Sequence, residues 1–214
     1  MPATSLILMR HAESTANALG LWQGQLDFPL SEAGRQQADN AARELAGRGV
    51  QLVASSDLER ARTTAAAAAK ACRCDLRLDA RLREMHVGEW EGLSTSSVST
   101  EYPDAWRRMI SGEDIARGET GETIAIAQER LVPAIHDVIH SLPAGGTALV
   151  VSHGASITAI LASLLEVDYR RLRTLIGGLR NAHWAEVDLL EDGSVLRGWN
   201  IGAVARDAHS EIQQ

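Results

Sequence analysis

The chain has 214 residues, of which 45% are hydrophobic and 23% charged, so it is long enough to bury a substantial core. Its formal net charge is −7 and its sequence pI is about 5.5. This balance argues against nucleic acid or an anionic membrane as a partner, because both favour a basic surface. If the protein binds an anionic ligand, its positive charge must be gathered locally.

Targeting and cysteine signals are weak. The apolar stretch at 6–9 is too short for the apolar part of a signal peptide, and no apolar run is long enough to cross a bilayer. Two cysteines, Cys72 and Cys74, are too few for a zinc site or a disulfide framework. We therefore expect a cytoplasmic protein with incidental thiols and no bound metal.

Short apolar runs alternate with longer amphipathic stretches along the chain. Ser31 is a candidate N-cap for the first long helix, which Gly47 ends, and Asp192-Gly193 is a candidate hairpin turn. The predicted elements, in chain order, are a strand at 5–9, a helix at 31–46, a strand at 51–55, a helix at 57–71, a strand at 76–78, loops and short helices at 84–119, a helix at 121–141, a strand at 147–152, a helix at 155–165 and a hairpin of strands at 182–190 and 195–200.

This order of elements favours an α/β fold. Strands that alternate with helices predict a mostly parallel central sheet with helices on both faces, which is a three-layer α/β/α architecture. The stretch at about 85–120 is weakly periodic and interrupted by glycines and Pro103, so we expect it to form an inserted cap over the sheet. We expect the whole chain, 1–214, to be a single domain that carries this cap.

Charged side chains and histidines follow three of the predicted strands. The first strand continues into Arg10 and His11, a later one into His153 and Gly154, and the second is followed by a helix whose first turn contains Arg60. Ligands of open α/β sheets bind beyond the carboxyl ends of the strands. Two arginines and two histidines are therefore expected at one edge of the sheet, which supplies the local positive charge.

Such a cluster suits phosphate ester chemistry. A phosphate monoester carries about 1.5 to 2 negative charges near neutral pH, and arginine binds its oxygens through a planar fork. An unprotonated histidine is a competent nucleophile, so one of His11 and His153 can be phosphorylated while the other donates hydrogen bonds to the same oxygens. Glu84, a few residues beyond the short strand at 76–78, is the best-placed acid, provided that it keeps its proton near neutral pH.

Five ordered motifs resemble the histidine phosphatase superfamily, the phosphoglycerate mutase-like family, over nearly the whole chain. They are Arg10-His11-Ala-Glu-Ser14 with Asn17, Leu30-Ser-Glu-Ala-Gly34, Ser55-Ser-Asp-Leu-Glu-Arg60-Ala, Leu82-Arg-Glu84 with Gly88 and Trp90-Glu-Gly92, and Val151-Ser-His153-Gly154. The resemblance implies a phosphohistidine at His11, proton donation by Glu84, and no metal or organic cofactor. The phosphate-binding residues that it implies are Arg10, Asn17, Gln23, Arg60, His153 and Gly154.

Within that family the sequence is more similar to the phosphatases than to the mutases. Trp90-Glu-Gly92 matches the phosphatase branch, and the segment at 92–120 is shorter than the insertions of mutases, although the stretch Glu84-Met-His-Val-Gly88 is mutase-like. Ala12 departs from the family pattern, which usually has glycine there, and its methyl group is expected to crowd the phosphate or restrict the backbone. A mutase remains the alternative activity.

The substrate prediction rests on weaker similarities. The stretches at 22–27, 81–86, 181–184 and 199–200 look most like the actinobacterial glucosyl-3-phosphoglycerate phosphatases, and ribazole-phosphate and broad-specificity phosphatases share much of this pattern. We expect a small phosphorylated metabolite as substrate and treat a homodimer as one option. A catalytically dead phosphate-binding module is disfavoured, because all five catalytic candidates are present.

Several other features are interpreted as structural. His136 and His140 lie four residues apart on a predicted helix, beside its apolar stripe, which favours a solvated face over a metal site. Arg107, Arg108 and Arg117 lie in the expected cap and are interpreted as surface charges, with an extension of the anion site as the alternative. Of the five tryptophans, Trp22 follows the nucleophile in the chain and is the one expected to wall the substrate pocket.

Overall fold

A six-stranded sheet forms the centre of the computed structural model, which describes residues 4–203. The strands are β1 (Thr4–Arg10), β2 (Val50–Ser55), β3 (Asp75–Leu78), β4 (Thr147–Ser152), β5 (Trp184–Leu190) and β6 (Gly193–Ile201). Their order in the sheet is β3-β2-β4-β1-β5-β6. The first four are parallel, and the β5–β6 hairpin adds to β1 in the antiparallel direction.

Helices cover both faces of the sheet. They are α1 (Thr15–Ala18), α2 (Glu32–Leu45), α3 (Glu59–Cys72), α4 (Thr95–Glu101), α5 (Pro103–Ile110), α6 (Ile124–His140), α7 (Gly154–Leu164) and α8 (Tyr169–Ile176). Ile7 and Met9 of β1 pack in one core cluster with α2 and α3, whereas Leu6 and Leu8 pack in the other with α6 and α7. Successive side chains of a strand point to opposite faces, so one apolar strand serves both cores. The three-layer, mostly parallel α/β/α fold is confirmed.

The segment predicted to be a cap contains α4 and α5 and has a small core of its own. Val87, Trp90, Val98 and Ile115 are buried together, and Trp22 packs against them. Helix α8 was not predicted from the sequence, and neither was the single turn α1. Their apolar faces are narrow, with only Leu172 buried in α8 and Ala16 in α1, so hydrophobic periodicity gives little signal there. No helix within residues 4–203 is both long and apolar enough to span a membrane.

Candidate active site

The carboxyl ends of β1 and β4 bring the two histidines together. Arg10 pairs with Ser152 in the parallel register, and the His11 amide donates to the Ser152 carbonyl over 2.9 Å. His153 follows directly and precedes the first residue of α7. The centres of the two imidazole rings are 5.1 Å apart, and both rings are buried.

The tautomer of His11 follows from its hydrogen bond. Its Nδ1 lies 2.7 Å from the carbonyl oxygen of Ala12, which can only accept, so Nδ1 carries the proton and Nε2 keeps its lone pair. Burial lowers the pKa of His11 well below 6.5, and the charges of Arg60 and Arg10 lower it further. The ring is therefore neutral at physiological pH, with Nε2 available as a nucleophile.

Arg10 and Arg60 supply the positive charge, and backbone carbonyls fix both. Arg10 Nη1 donates to Leu179 over 2.8 Å, and Arg60 Nη1 and Nη2 donate to Leu26 and Gly24, each over 2.8 Å. The Nε of each arginine is buried without a partner within residues 4–203. Burial lowers the pKa of Arg60 to about 10, which leaves it cationic at neutral pH. Each guanidinium thus retains donors for an anionic ligand.

His153 is held by Ser56 on the loop after β2. Its Nε2 lies 2.9 Å from the Ser56 hydroxyl, whereas its Nδ1 is buried with no partner in the described part of the chain. The pKa of His153 lies well below 6.5. Burial is the largest cause, and the charges of Arg60, His11 and Arg10, in that order, lower the pKa further. If the hydroxyl donates to Nε2, the neutral ring carries its proton on Nδ1, where it can donate to a ligand.

The Glu84 carboxylate lies at the start of α7, the helix that follows His153 in the chain. Its carboxylate accepts from the amides of Ser156 (3.1 Å) and Ala155 (3.3 Å) and from the Ser156 hydroxyl (2.9 Å). These donors hold the carboxylate at the amino end of α7. A role as proton donor requires that Glu84 hold a proton in the complex with the phosphate ester.

Asn17 and Gln23 are held by a polar network around Ser14. The Ser14 hydroxyl lies 3.0 Å from Asn17 Oδ1 and 2.7 Å from Gln23 Oε1, and Asn181 Nδ2 donates to Asn17 Oδ1 over 3.1 Å and to the His11 carbonyl over 3.0 Å. Because the amide oxygens are occupied, each amide nitrogen is the group left for a ligand. Asn181 connects this network to the backbone of His11.

These residues surround one cavity of about 310 Å³. We call it the phosphoryl cavity. Trp22 forms part of its wall and packs edge-on against Trp90, with ring centres 5.4 Å apart. The residues from the sequence prediction that line it are Arg10, His11, Asn17, Trp22, Gln23, Arg60 and Glu84. His153 is buried beside His11 and is not among the residues that line the cavity. Gly154 lies beside Arg10, since a Cβ added there would be 3.6 Å from Arg10 Nε.

The Ala12 methyl group does not crowd this cavity. Ala12 is fully buried in the core cluster that contains Ile7 and Met9, and its φ is not positive. The glycine that close packing does require is Gly34, where an added Cβ would lie 1.9 Å from the carbonyl oxygen of Glu13. The sequence-based concern about residue 12 was therefore wrong in both its parts, the crowding and the backbone restriction.

The remaining candidates divide between surface and site. His136 and His140 are exposed, Arg107 pairs with Asp104, and Arg108 pairs with Glu113, as expected of surface groups. For Arg117 the surface interpretation was wrong, because it is 9% exposed and lines the phosphoryl cavity, which agrees with the alternative that it extends the anion site. Within residues 4–203, no group of three or more His, Cys, Asp or Glu side chains is placed to hold a metal ion.

Sequence reasoning also missed residues that reach the site from distant parts of the chain. Arg173 and Tyr169 of α8 line a chamber that adjoins the phosphoryl cavity, and Arg130 of α6 binds the backbone that carries Glu84. Asp168, which caps the start of α8, is the sequence signal that was available for this helix.

Comparisons with known sequences agree with this geometry. The sequence pattern of the family described as histidine phosphatase superfamily (branch 1) matches residues 6–202. A protein of Escherichia fergusonii, named as a probable phosphoglycerate mutase, is 36% identical over 206 residues, which cover 94% of this chain and 93% of the relative.

Solved structures are similar over the same length. A mycobacterial glucosyl-3-phosphoglycerate phosphatase in complex with VO3 has a TM-score of 0.86 and 32% identity, covering 92% of this chain and 99% of the other. A mutant of phosphoserine phosphatase from Entamoeba histolytica in complex with phosphoserine has a TM-score of 0.81 and 28% identity, covering 92% and 96%.

Proposed function

The chain belongs to the histidine phosphatase superfamily, and we propose that it is a phosphomonoesterase that hydrolyses a small phosphorylated metabolite through a phosphohistidine at His11. The coarser statement, an enzyme that acts on phosphate esters, follows from the family and from the phosphatases among its structural relatives. One observation carries the finer proposal: a buried, neutral His11, whose Nε2 keeps its lone pair, lines the same cavity as two arginines whose donors are only partly used.

In the first step, the lone pair of His11 Nε2 attacks phosphorus and the bond from phosphorus to the ester oxygen breaks. Arg10 and Arg60 bind the phosphoryl oxygens and offset the charge that shifts onto them in the transition state. His153 Nδ1, Asn17 and Gln23 supply further donors. Glu84, protonated beside the bound dianion, gives its proton to the leaving oxygen, which departs as an alcohol.

In the second step, water attacks the phosphohistidine. Glu84, now a carboxylate, accepts a proton from the water, the phosphorus–nitrogen bond breaks, and inorganic phosphate and free His11 are formed. The neutral tautomer is restored without further proton transfer, because the bond between Nδ1 and the Ala12 carbonyl is kept throughout. All of these steps use residues of this chain alone.

The cap favours hydrolysis over the mutase alternative. It consists of two short helices, α4 and α5, over a small apolar core, and it leaves the phosphoryl cavity continuous with a wider chamber. A mutase must keep water from its phosphohistidine until the second hydroxyl arrives. The name of the Escherichia fergusonii relative nevertheless keeps the mutase as the second candidate.

The substrate proposed first is glucosyl-3-phosphoglycerate, which the name of the mycobacterial relative suggests. Phosphoserine and ribazole phosphate come next, from the names of other structural relatives at 28% and 26% identity. We propose that the protein acts in the cytoplasm without a metal, and without nucleic acid or membrane as partner. A homodimer is the assembly to test first.

Products formed from 3-phosphoglycerate and from a panel of phosphorylated metabolites test the proposal. We expect release of inorganic phosphate from at least one metabolite, unchanged by EDTA. Product analysis by NMR distinguishes the two activities, because a mutase converts 3-phosphoglycerate to 2-phosphoglycerate without releasing phosphate. That conversion would overturn the phosphatase proposal.

A further inference from the structure

Asn181 lies on the loop that connects α8 to β5, and its side chain reaches the backbone of the proposed nucleophile. Its Nδ2 donates to the His11 carbonyl over 3.0 Å and to Asn17 Oδ1 over 3.1 Å. Among the described residues, Asn17 lines the phosphoryl cavity and Asn181 does not. Any effect of Asn181 on a bound phosphoryl group therefore passes through a neighbouring residue.

The backbone of His11 depends little on Asn181. The Ala182 amide also donates to the His11 carbonyl, over 3.2 Å, and the His11 amide donates to the Ser152 carbonyl over 2.9 Å. Both backbone groups of His11 therefore stay paired when the side chain of Asn181 is removed. The neighbour that Asn181 affects most is then Asn17.

Three donors lie near Asn17 Oδ1, but only two of them can serve it. The amide of Ser14 is 3.1 Å away, Asn181 Nδ2 is 3.1 Å away and the Ser14 hydroxyl is 3.0 Å away. This hydroxyl has one proton, and Gln23 Oε1, at 2.7 Å, is its nearer acceptor. Asn181 thus supplies one of the two hydrogen bonds that hold the Asn17 oxygen and leave the Asn17 nitrogen for a ligand.

The backbone determines the direction of these bonds. A carbonyl oxygen can only accept, so the atom of Asn181 that faces the His11 carbonyl is its nitrogen. The same nitrogen faces Asn17, so the atom of Asn17 that meets it is the oxygen. Turning either amide around would bring two oxygens or two nitrogens together at hydrogen-bond distance. One backbone carbonyl therefore selects the orientation of both amides.

We propose that Asn181 is a positioning residue, which orients the Asn17 amide so that its nitrogen donates to the transferred phosphoryl group. The inference rests on the proposed function, because it takes the phosphoryl cavity as the place where the ester binds. A donor that is oriented before the ligand arrives does not have to turn as charge develops in the transition state. Without Asn181, the Asn17 amide keeps only the Ser14 amide as a partner for its oxygen.

A double-mutant cycle tests whether Asn181 acts through Asn17. With p-nitrophenyl phosphate, we expect kcat/KM to fall about 10²-fold in Asn17→Ala and about tenfold in Asn181→Ala. The double variant should be no worse than Asn17→Ala, because Asn181 then has no amide to orient. Two independent effects would multiply to a loss of about 10³-fold, and that result would overturn the positioning role.

The side-chain amide of Asn17 gives a second readout, which does not depend on turnover. In ¹⁵N-labelled protein its NH2 signal is assigned by its absence from Asn17→Ala. We expect this signal to shift when inorganic phosphate binds to the unmodified protein, and to shift much less in phosphate-saturated Asn181→Ala. A shift of the same size in both proteins would contradict the proposal.

Asn200 provides the matched control, because it holds the same loop through two similar bonds. Its Oδ1 accepts from the Arg180 amide over 2.8 Å, and its Nδ2 donates to the Gly178 carbonyl over 2.9 Å. Asn200→Gly removes both bonds, and glycine tolerates the φ of +54° at this position. It should lower kcat/KM less than about threefold. Equal losses in Asn200→Gly and Asn181→Ala would assign the effect to the loop and overturn the proposal.

Failure of this inference and failure of the proposed function give different results. If the unmodified protein does not hydrolyse p-nitrophenyl phosphate, the phosphatase proposal fails, while the phosphate-induced shift of Asn17 still tests its orientation. Hydrolysis together with a normal shift in Asn181→Ala keeps the phosphatase and rejects the positioning role. Circular dichroism and thermal unfolding establish that the variants are folded. If Asn181→Ala does not fold, Asn181→Asp replaces it, because it keeps the shape of the side chain and loses both donors.

Discussion

His11→Ala should abolish hydrolysis of phosphate monoesters, with a loss of at least about 10³-fold in kcat. The substitution removes the only atom that the proposed mechanism phosphorylates, Nε2 of a neutral ring. Incubation with a phosphorus-labelled ester, rapid quenching and mass spectrometry should find the label on His11 in the unmodified protein and not in the variant. The labelled bond should be stable in base and labile in acid, as expected of phosphorus bound to nitrogen.

The fold should survive this change, because His11 contributes one hydrogen bond, to the adjacent Ala12 carbonyl, and the surrounding strands pair through their backbones. His140→Ala, at an exposed position of α6, is the control and should keep full activity. Substantial activity in folded His11→Ala, or a label on His153 in its place, would end the proposed assignment of the nucleophile.

The sequence predicted the centre of this site because strand direction determines it. Parallel strands place their carboxyl ends at one edge, so residues that directly follow β1 and β4 must meet, and Arg10, His11 and His153 do. Arg60 follows by the same reasoning, since α3 begins just beyond β2. Glu84 was chosen by its distance along the chain and by family resemblance, and its place at the start of α7 had no sequence signal.

The outer parts of the site could not be predicted for a related reason. Arg117 was only an alternative candidate and Arg173 was not named, because their positions depend on how the cap and α8 close over the sheet, and no strand pairing specifies that arrangement. Arg130 donates to backbone carbonyl groups 46 to 49 residues away in the chain. Because every residue has such a carbonyl, the sequence carries no signal for these contacts. The Ala12 expectation failed because backbone direction, invisible in the motif, turns its methyl group into the core.

Arg60→Met should lower kcat/KM at least about 10³-fold, the second-largest effect that we expect, because it removes a charge aimed at the transferred phosphoryl group. A loss of that size is about 4 kcal/mol of transition-state stabilisation. The substitution also leaves the carbonyls of Gly24 and Leu26 without their donor, which costs about 1–3 kcal/mol of stability for each one that stays buried. Thermal unfolding measures the loss of stability. Rates at limiting substrate give kcat/KM and so measure the loss of transition-state stabilisation.

Three comparisons make this prediction specific to the charge and its geometry. Arg62→Met, at an exposed position two residues further along α3, should change little. Arg60→Lys restores the charge without the planar fork, so it should recover only part of the activity. Burial lowers the pKa of Arg60 to about 10, so its charge is present throughout the range from pH 6 to about 9, and the profiles of kcat/KM against pH for the unmodified protein and for Arg60→Met should run parallel there. A folded Arg60→Met with near-normal kcat/KM would show that Arg10 alone binds the phosphoryl group.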